Sequence, residues 1–426
     1  MLASGPAILS ALFLIQAEAQ FEAGARIETR VGQAPSLTSS NQVVPPEQFQ
    51  VMVVATPILS LRWIDGLDAL HANSATRILW RPVPLLDSRP LFLESLGITH
   101  ARRPSRRSQL QLNIQASYGE QDYTSLQQQL LNQPSLPLAM TMLMVNATAG
   151  ASWRSSRRTT LTLQLGALHS RSFDTQTISS GTAGTYALPT QTTITATPAL
   201  TYALARRSNL RAIVSIIDTD SQGTSLAPGQ TGELNVLSIQ PQVGIGQELT
   251  SQHRLHLTAG FAYTVALRQA ADTNLPWYPV PLLQIDLNSI LQRTRMAVVR
   301  SSIGVGTSSF VDPVLGVAVS RGLAQASVDA QLGPWSVGVR CAFATDLSGS
   351  QQANASGGVS ADETFVMLEI PVRYRSSRNL IAEFGGRFSE RGPKWSTSTI
   401  ALHSETRELW LYVNLTTFSR PSSTRS

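Results

Sequence analysis

The stretch IPVRYRSSRNLIAEFGGRF, Ile370–Phe388, decides the fold class of this chain. Apolar and charged residues alternate in it on both sides of a short polar turn. Because successive side chains of a strand point to opposite faces, the spacing puts Val372 and Phe384 on one face and Arg373 and Glu383 on the other. The segment therefore predicts a β-hairpin with one apolar face, one charged face and a basic turn.

The same alternation recurs from Phe49 to Phe418, in runs that are longer than the usual strand of a soluble protein. Such runs match a tilted membrane crossing, and their second face is polar but sparsely charged, as a water-filled lumen allows. Since every backbone amide must be paired inside lipid, the sheet has to close on itself. We predict an all-β fold, a closed antiparallel transmembrane β-barrel. It is a meander of about 18 strands, with a range of roughly 16 to 19.

Two segments account for the range in strand number. Within Val311–Phe343, the turn lies either at Ser320–Gly322 or at Gly333-Pro334, and a strand at Arg26–Val31 would add one more. If instead Phe49 begins the first strand, the short turns face outward, which inverts the usual bacterial arrangement. The strand at Arg26–Val31 would restore that arrangement.

Prolines and turn lengths repeat from hairpin to hairpin. Several strands carry a proline at a shared offset, among them those with Pro57, Pro198 and Pro371. Because proline has no N–H to donate to the ladder, we expect these residues near a strand end or at a bulge, and their shared offset suggests one rim. Short polar turns alternate with longer loops, which is typical of a transmembrane barrel.

The N-terminus predicts export. Ala7–Ile15 is an apolar run followed by the small-x-small pattern Ala17-Glu18-Ala19, which is typical of a cleaved signal peptide. A barrel that follows such a leader predicts an integral protein in the outer membrane of a Gram-negative bacterium. The predicted organisation is a signal peptide at 1–19, an N-terminal segment at 20–47 with at most one short extra strand, the barrel at 48–419 and a polar tail at 420–426.

Composition argues against several other classes of protein. The 426 residues carry a net charge of +6, yet only 14% are charged and Lys394 is the only lysine. The sequence has no helical basic region and no basic stripe interleaved with aromatic residues, so we expect no nucleic-acid partner. A single cysteine, Cys341, excludes an internal disulfide and a cysteine-based metal cluster.

The histidines do not predict an enzyme. None of them lies in an HExxH sequence or beside a nucleophile elbow. The spacing of His253 and His256 is wrong for one strand face, and both are interpreted as turn residues. Asp218 and Asp220 are interpreted as residues of a solvated loop rather than as calcium ligands. We therefore predict no catalytic residue, no metal site and no cofactor.

Charged residues on the inner face are the main functional candidates. By alternation, the polar face of the last third of the chain carries Arg340, Glu369, Arg373, Glu383 and Arg387. Opposite charges in a channel with low-dielectric walls create a transverse field, which selects permeants by charge. The alternative is that these residues only neutralise one another in a wet interior.

Arginines also concentrate in the short turns. One interpretation is that they provide solubility and control strand register at a rim. The other is that they dock an acidic partner, namely lipid phosphates, an anionic glycan or an acidic periplasmic protein. The arginines in question are Arg102, Arg103, Arg106, Arg107, Arg154, Arg157, Arg158, Arg206, Arg207, Arg375 and Arg378.

ATPILSLRW at Ala55–Trp63 and QASYGE at Gln115–Glu120, with the arginine-rich turns, resemble outer-membrane barrels of myxobacteria and their relatives. Leu409–Phe418 resembles the aromatic-ended closing strand of bacterial outer-membrane barrels, although Ser419–Ser426 extends past it. Some myxobacterial barrels, with about 18 strands, act beside short periplasmic polysaccharide-export proteins. The resemblance implies secretion of a polysaccharide with a periplasmic export protein as partner. The barrel and its basic turns predict outer-membrane lipids and an anionic glycan as further partners. The resemblance transfers no individual functional residue.

The first hypothesis for function is a channel that translocates a secreted polysaccharide together with a periplasmic export protein. The main alternative is a general or anion-preferring diffusion porin. Two further alternatives belong to other classes: an outer-membrane hydrolase, and a structural or adhesive barrel with a closed lumen.

Overall fold

A computed structural model describes most of the predicted barrel and few of the connections on its long-loop side. The described residues are 18–35, 47–83, 90–122, 139–173, 190–222, 233–268, 279–294, 296–312, 317–347, 360–361, 364–377, 379–391, 395–396, 406–419 and 422–423. Residues 1–17, which make up most of the predicted signal peptide, lie outside them. Within this part of the chain, no helix has the length and apolar character needed to span a bilayer.

The described residues form long strands that follow one another in chain order. Outside the barrel wall, Ser360–Ala361 pairs with Trp395–Ser396, and Ser422–Ser423 adds a short pairing to the first strand. The barrel strands are β1 (Glu18–Pro35), β2 (Glu47–Asp65), β3 (Asp68–Val83), β4 (Leu91–Ser105), β5 (Ser108–Asp122), β6 (Ala139–Arg154), β7 (Thr159–Ser172), β8 (Thr190–Ala205), β9 (Ser208–Gln222), β10 (Glu233–Glu248), β11 (His253–Arg268), β12 (Val280–Arg293), β13 (Ala297–Asp312), β14 (Val317–Leu332), β15 (Trp335–Asp346), β16 (Thr364–Arg375), β17 (Leu380–Arg391) and β18 (Thr406–Phe418).

The sheet closes into a barrel. Each strand pairs antiparallel with the next, and β18 pairs with β1 from Gly24 opposite Phe418 to Gln33 opposite Leu409. Closure leaves no unpaired sheet edge, which is what a bilayer requires. The predicted fold class, an all-β closed antiparallel barrel, is confirmed, and the strand number is 18.

The outer face of the barrel is apolar. Leu59 and Val413 are 63% and 58% exposed, and residues like them alternate along each strand with the polar residues of the inner face. Exposed aromatic side chains lie close to both strand ends, such as Phe92 near the start of β4 and Trp153 near the end of β6. An apolar band bordered by aromatic residues is the surface of a membrane-embedded barrel.

The first strand is longer than the sequence suggests. Where at most a short strand at Arg26–Val31 is predicted, Glu18–Pro35 pairs along its whole length with β2. The barrel therefore begins at Glu18, within the predicted signal peptide, and not at residue 48. The strand is hard to detect because Ala23 and Ala25 occupy outward positions that larger apolar residues fill elsewhere.

Short turns and longer connections alternate, and the presence of β1 determines which rim of the barrel carries the short turns relative to the chain ends. The short turns lie on the same rim as the start of β1 and the end of β18. In bacterial outer-membrane barrels this is the periplasmic rim, so we expect the usual orientation. The turn between β14 and β15 lies at Gly333-Pro334, where Gly333 has φ +60, whereas Ser320–Gly322 lies inside β14.

Prolines lie inside strands, not along one rim as expected. Pro57, Pro198, Pro241 and Pro371 each face a partner on one neighbouring strand. On the other side the ladder skips them. Because proline cannot donate a hydrogen bond, the ladder is interrupted on one side only, and the strand continues.

Candidate functional site: the charged lumen wall

The five charged residues predicted to line the lumen lie on the inner face of β15, β16 and β17. Arg340 is opposite Glu369, and Glu369 is opposite Arg387 on the next strand. Arg373 is opposite Glu383. Directly opposite residues on one face of a sheet are close enough to interact, so the register itself brings unlike charges together.

Arg340 lies between two carboxylates. Its guanidinium is 3.6 Å from Glu369 and 3.9 Å from Asp329 of β14. The hydroxyl of Tyr412, on β18, donates to Glu369 at 3.1 Å across the intervening strand β17. Gly385 makes this reach possible, since a Cβ at that position would lie 2.8 Å from the Tyr412 hydroxyl.

The second pair is joined by two hydrogen bonds to one oxygen. Nε and Nη2 of Arg373 both donate to one carboxylate oxygen of Glu383, at 2.8 and 2.6 Å. Arg387 is half-buried, and its guanidinium also approaches the sulfur of Met367 at 2.9 Å. The five predicted residues therefore differ in surroundings, and Arg387 is the one packed into the wall.

The sequence-based interpretation misses a third group, on β1. Glu28 accepts from Arg26 at 2.9 Å and also pairs with Arg30. Asn414 of β18 lies beside them. With its amide oriented to donate to Glu28 and accept from Arg26, both distances are 3.1 Å. Charges at every second position from Arg26 to Arg30 are the signal that would have revealed this group.

Acidic and basic partners of these pairs differ in exposure. The side chains of Arg340 and Glu369 are 47% and 18% exposed, and those of Arg373 and Glu383 are 53% and 17% exposed. For Arg26 and Glu28 the values are 46% and 9%. In these three pairs the acidic side chain is covered and the arginine side chain is about half exposed. Two other contacts differ: Arg340 and Asp329 are 47% and 51% exposed, and Arg30 and Glu28 are 19% and 9% exposed.

The inner face of β5–β8 contrasts with this charged wall. Apart from Arg154 at the rim, its described inward positions carry no charged side chain. Instead the face carries amides and hydroxyls, such as Gln111, Asn113, Gln164 and Thr195. We call β5–β8 the neutral wall, and β14–β18 with β1 the charged wall.

The arginines of the short turns lie on one rim, the rim shared with the start of β1. Those described there are Arg102, Arg103, Arg106, Arg107, Arg154, Arg157, Arg158, Arg206, Arg207 and Arg375, whereas Arg378 lies outside the described residues. Arg154 bonds within its own turn, where Nη2 donates to the carbonyl of Arg157 at 3.0 Å. Arg154 thus contributes to turn geometry.

The ring of His253 contacts a serine of the neighbouring strand. His253 Nδ1 lies 2.8 Å from Ser289 Oγ, but Ser289 is only 8% exposed. None of the contacts recorded for His253 within the described ranges involves a carboxylate. His253 and His256 point to opposite faces, as the spacing predicts. Over the same ranges, no group of three or more His, Cys, Asp or Glu residues could hold a metal ion.

Asp218 and Asp220 do not lie in a loop. Both are in β9, on the outward face near the end of the strand that leads to residues 223–232. Asp220 accepts a hydrogen bond from Gln222 at 3.1 Å. The earlier interpretation fails because the alternation of β9 continues through these acidic residues.

Solved outer-membrane proteins share this architecture. The siderophore receptor PirA from Acinetobacter baumannii is 8% identical with a TM-score of 0.50, over 93% of this chain and 80% of that one. OpdQ from Pseudomonas aeruginosa is 10% identical with a TM-score of 0.46, over 95% and 98%. No family model and no curated protein matches the chain. At such low identity, the likeness to PirA shows the fold alone.

Closure, the apolar outer face and the aromatic borders define the class of protein. The chain is a transmembrane β-barrel of the Gram-negative outer membrane.

Proposed function

We propose that this barrel is a diffusion channel for small solutes and that it prefers anions. The observation that supports the proposal most is the unequal exposure within the lumen ion pairs. The side chains of Arg26, Arg340 and Arg373 are about half exposed, while Glu28, Glu369 and Glu383 are covered. Asp329, the second partner of Arg340, is 51% exposed and offsets part of this excess. A permeating ion therefore meets positive charge first, although each charge is paired.

The surroundings of the barrel strengthen this effect. A wall backed by lipid has a low dielectric constant, and it concentrates field lines in the aqueous lumen. Salt limits the range, since the screening length is about 10 Å at 0.1 M ionic strength and about 3 Å at 1 M. The preference for anions is therefore modest and weakens as the salt concentration rises.

Polysaccharide translocation with a periplasmic export protein, the first hypothesis from the sequence, stays a prediction. It rests on the resemblance to myxobacterial barrels, whereas the ion pairs described above favour the porin alternative. Deletion of the gene tests it, because loss of surface polysaccharide would support export. A normal glycan coat on the deletion strain would contradict it.

The channel proposal is tested with purified protein in planar bilayers. We expect stepwise conductance and, across a potassium chloride gradient, a zero-current potential with the sign of chloride selectivity. A silent barrel would contradict the channel. A potential with the sign of potassium selectivity would contradict the preference for anions but not the channel.

A further inference from the structure

We propose that the outer face of β1–β4, near the short-turn rim, binds one anionic glycerophospholipid. Its acyl chain lies in a groove of the barrel surface, and its phosphate is held by the arginines of the β4–β5 turn. This assigns a role to a basic turn and an outward-facing groove that the channel does not use.

The groove is built from small residues flanked by large ones. Ala72 and Ser74 of β3 form its floor, and Phe21, Leu59 and Leu96 stand around it on β1, β2 and β4. The flanking side chains are 55%, 63% and 50% exposed. The cavity measures about 470 Å³ and opens on the side that faces the bilayer.

The groove ends where a lipid headgroup is expected. Trp63 is opposite Leu70, and Leu70 is opposite His100, so these three residues form one row across β2–β4 on the rim side of the groove. Outward-facing tryptophan and other amphipathic rings mark the level of the headgroups, and Trp63 is partly exposed there. Asp68 and Arg102 form the next outward-facing row toward the rim.

Charge at this level is positive. Asp68 lies 3.2 Å from the ring of His100 and 3.7 Å from Arg102, which it partly neutralises. Arg103, Arg106 and Arg107 then follow in an exposed stretch that contains no acidic residue. Such a cluster is complementary to a lipid phosphate, and not to a neutral surface.

The distance from the inner end of the groove to the basic turn fits one acyl chain. Leu96 and Arg102 are six positions apart on β4, which is about 20 Å along a strand. A strand tilt of about 40° reduces this to about 15 Å along the membrane normal. That is about half of the 30 Å hydrocarbon core, the depth of one leaflet.

A second copy of the chain fits this surface less well than a lipid. Two copies in one membrane have the same orientation, so a symmetric contact through this face would bring two β4–β5 turns to the same level. Their arginines would then repel one another. An anionic lipid removes that repulsion and fills the groove.

The test is lipid retention by the full-length protein after delipidation in detergent, read by native mass spectrometry. Phosphatidylglycerol and phosphatidylethanolamine are offered at equal concentration. We expect wild type to keep one phosphatidylglycerol. Combined Arg103→Gln, Arg106→Gln and Arg107→Gln substitutions should lower its retention about tenfold or more, because each arginine near an anionic headgroup adds to binding.

Groove variants and matched controls complete the test. Ala72→Phe, with Ser74→Phe as a second variant in case the first does not fold, should also release the lipid. Arg375→Gln on a distant turn and Ala147→Phe on the outer face of β6 should not. Equal retention by all variants would overturn the proposal, and so would equal retention of both lipids. A dimer in place of the lipid would overturn it in favour of a second copy.

Discussion

The charged wall and the neutral wall line the same lumen with different chemistry. On the neutral wall and its neighbour β9, hydroxyl groups bond to one another, as between Thr197 and Ser215 at 3.4 Å. On the charged wall, carboxylates and guanidinium groups pair across strands instead, as between Arg373 and Glu383 at 2.6 Å. Only the charged wall places ionised groups in the lumen, so only this wall creates a strong field.

The comparison indicates what the charges are for. The inner face of β5–β8 is polar through uncharged amides and hydroxyls, without ion pairs. Ion pairs are therefore not required for a polar barrel wall. Since Glu28, Glu369 and Glu383 are covered while Arg26, Arg340 and Arg373 are about half exposed, we infer that these pairs provide charge selection.

Reversing the exposed charges of the charged wall should have the largest effect on ion selectivity. We expect Arg340→Glu with Arg373→Glu to change the channel from anion-preferring to cation-preferring, measured as the zero-current potential in a potassium chloride gradient. One charge about 8 Å from an ion in water contributes ~0.5 kcal/mol, and screening at 0.1 M salt reduces this by about half. A net change of four charges, which acts with opposite sign on anion and cation, therefore shifts the permeability ratio by roughly ten- to thirtyfold.

Two controls belong to this experiment. The double Arg→Gln variant at the same positions should lie between wild type and the reversed variant. The shift should also shrink in 1 M salt, where charges are screened within about 3 Å. A shift that is independent of salt would point to a change in barrel shape and not in electrostatics.

Alanine variants of two arginines of the charged wall should differ in their effects, one changing mainly selectivity and the other mainly stability. We expect Arg373→Ala to lower the anion preference about twofold with little loss of stability, because this side chain is half exposed. Arg387→Ala should change selectivity less but destabilise the barrel by about 1–3 kcal/mol, since Arg387 is half-buried. Conductance and urea unfolding measure the two effects.

The double variant Arg373→Ala with Arg387→Ala should still fold and should show altered selectivity. Unchanged selectivity in the folded double variant would indicate that these charged residues only neutralise one another. Equal destabilisation by the two single variants would contradict the difference in burial.

The neutral wall should give the smallest effect. We expect Gln111→Ala with Gln164→Ala to leave the zero-current potential unchanged, because neither side chain carries charge, and to change conductance only slightly. Both side chains are exposed to the lumen, like Arg373, so they are a matched control. A shift as large as that of Arg373→Ala would remove the distinction between the two walls.

Much of the fold could be predicted from the sequence. Period-two alternation identifies the hairpin at Ile370–Phe388 and the inward position of Arg340, because both depend only on neighbours along the chain. Alternation fails at β1, where alanines replace larger outward residues. The sequence pattern also suggests a rim position for the prolines, which lie inside strands. Their true position depends on neighbouring strands, because the backbone hydrogen-bond ladder is interrupted on one side only.

The unequal exposure of the ion pairs could not be predicted, because it depends on packing between residues far apart in the chain. Tyr412 covers Glu369 from two strands away, through the space left by Gly385. Glu28 is covered at the closing seam, where Asn414 of the last strand meets the first. No local pattern records such contacts.

The central claim is that the covered carboxylate and the exposed guanidinium of one ion pair act differently on permeating ions. The most direct measurement is the zero-current potential of Glu383→Gln and of Arg373→Gln, compared with wild type at 0.1 M salt. The account predicts opposite shifts, with a stronger anion preference in Glu383→Gln and a weaker one in Arg373→Gln. Shifts in the same direction, or no shift in either variant, would contradict it.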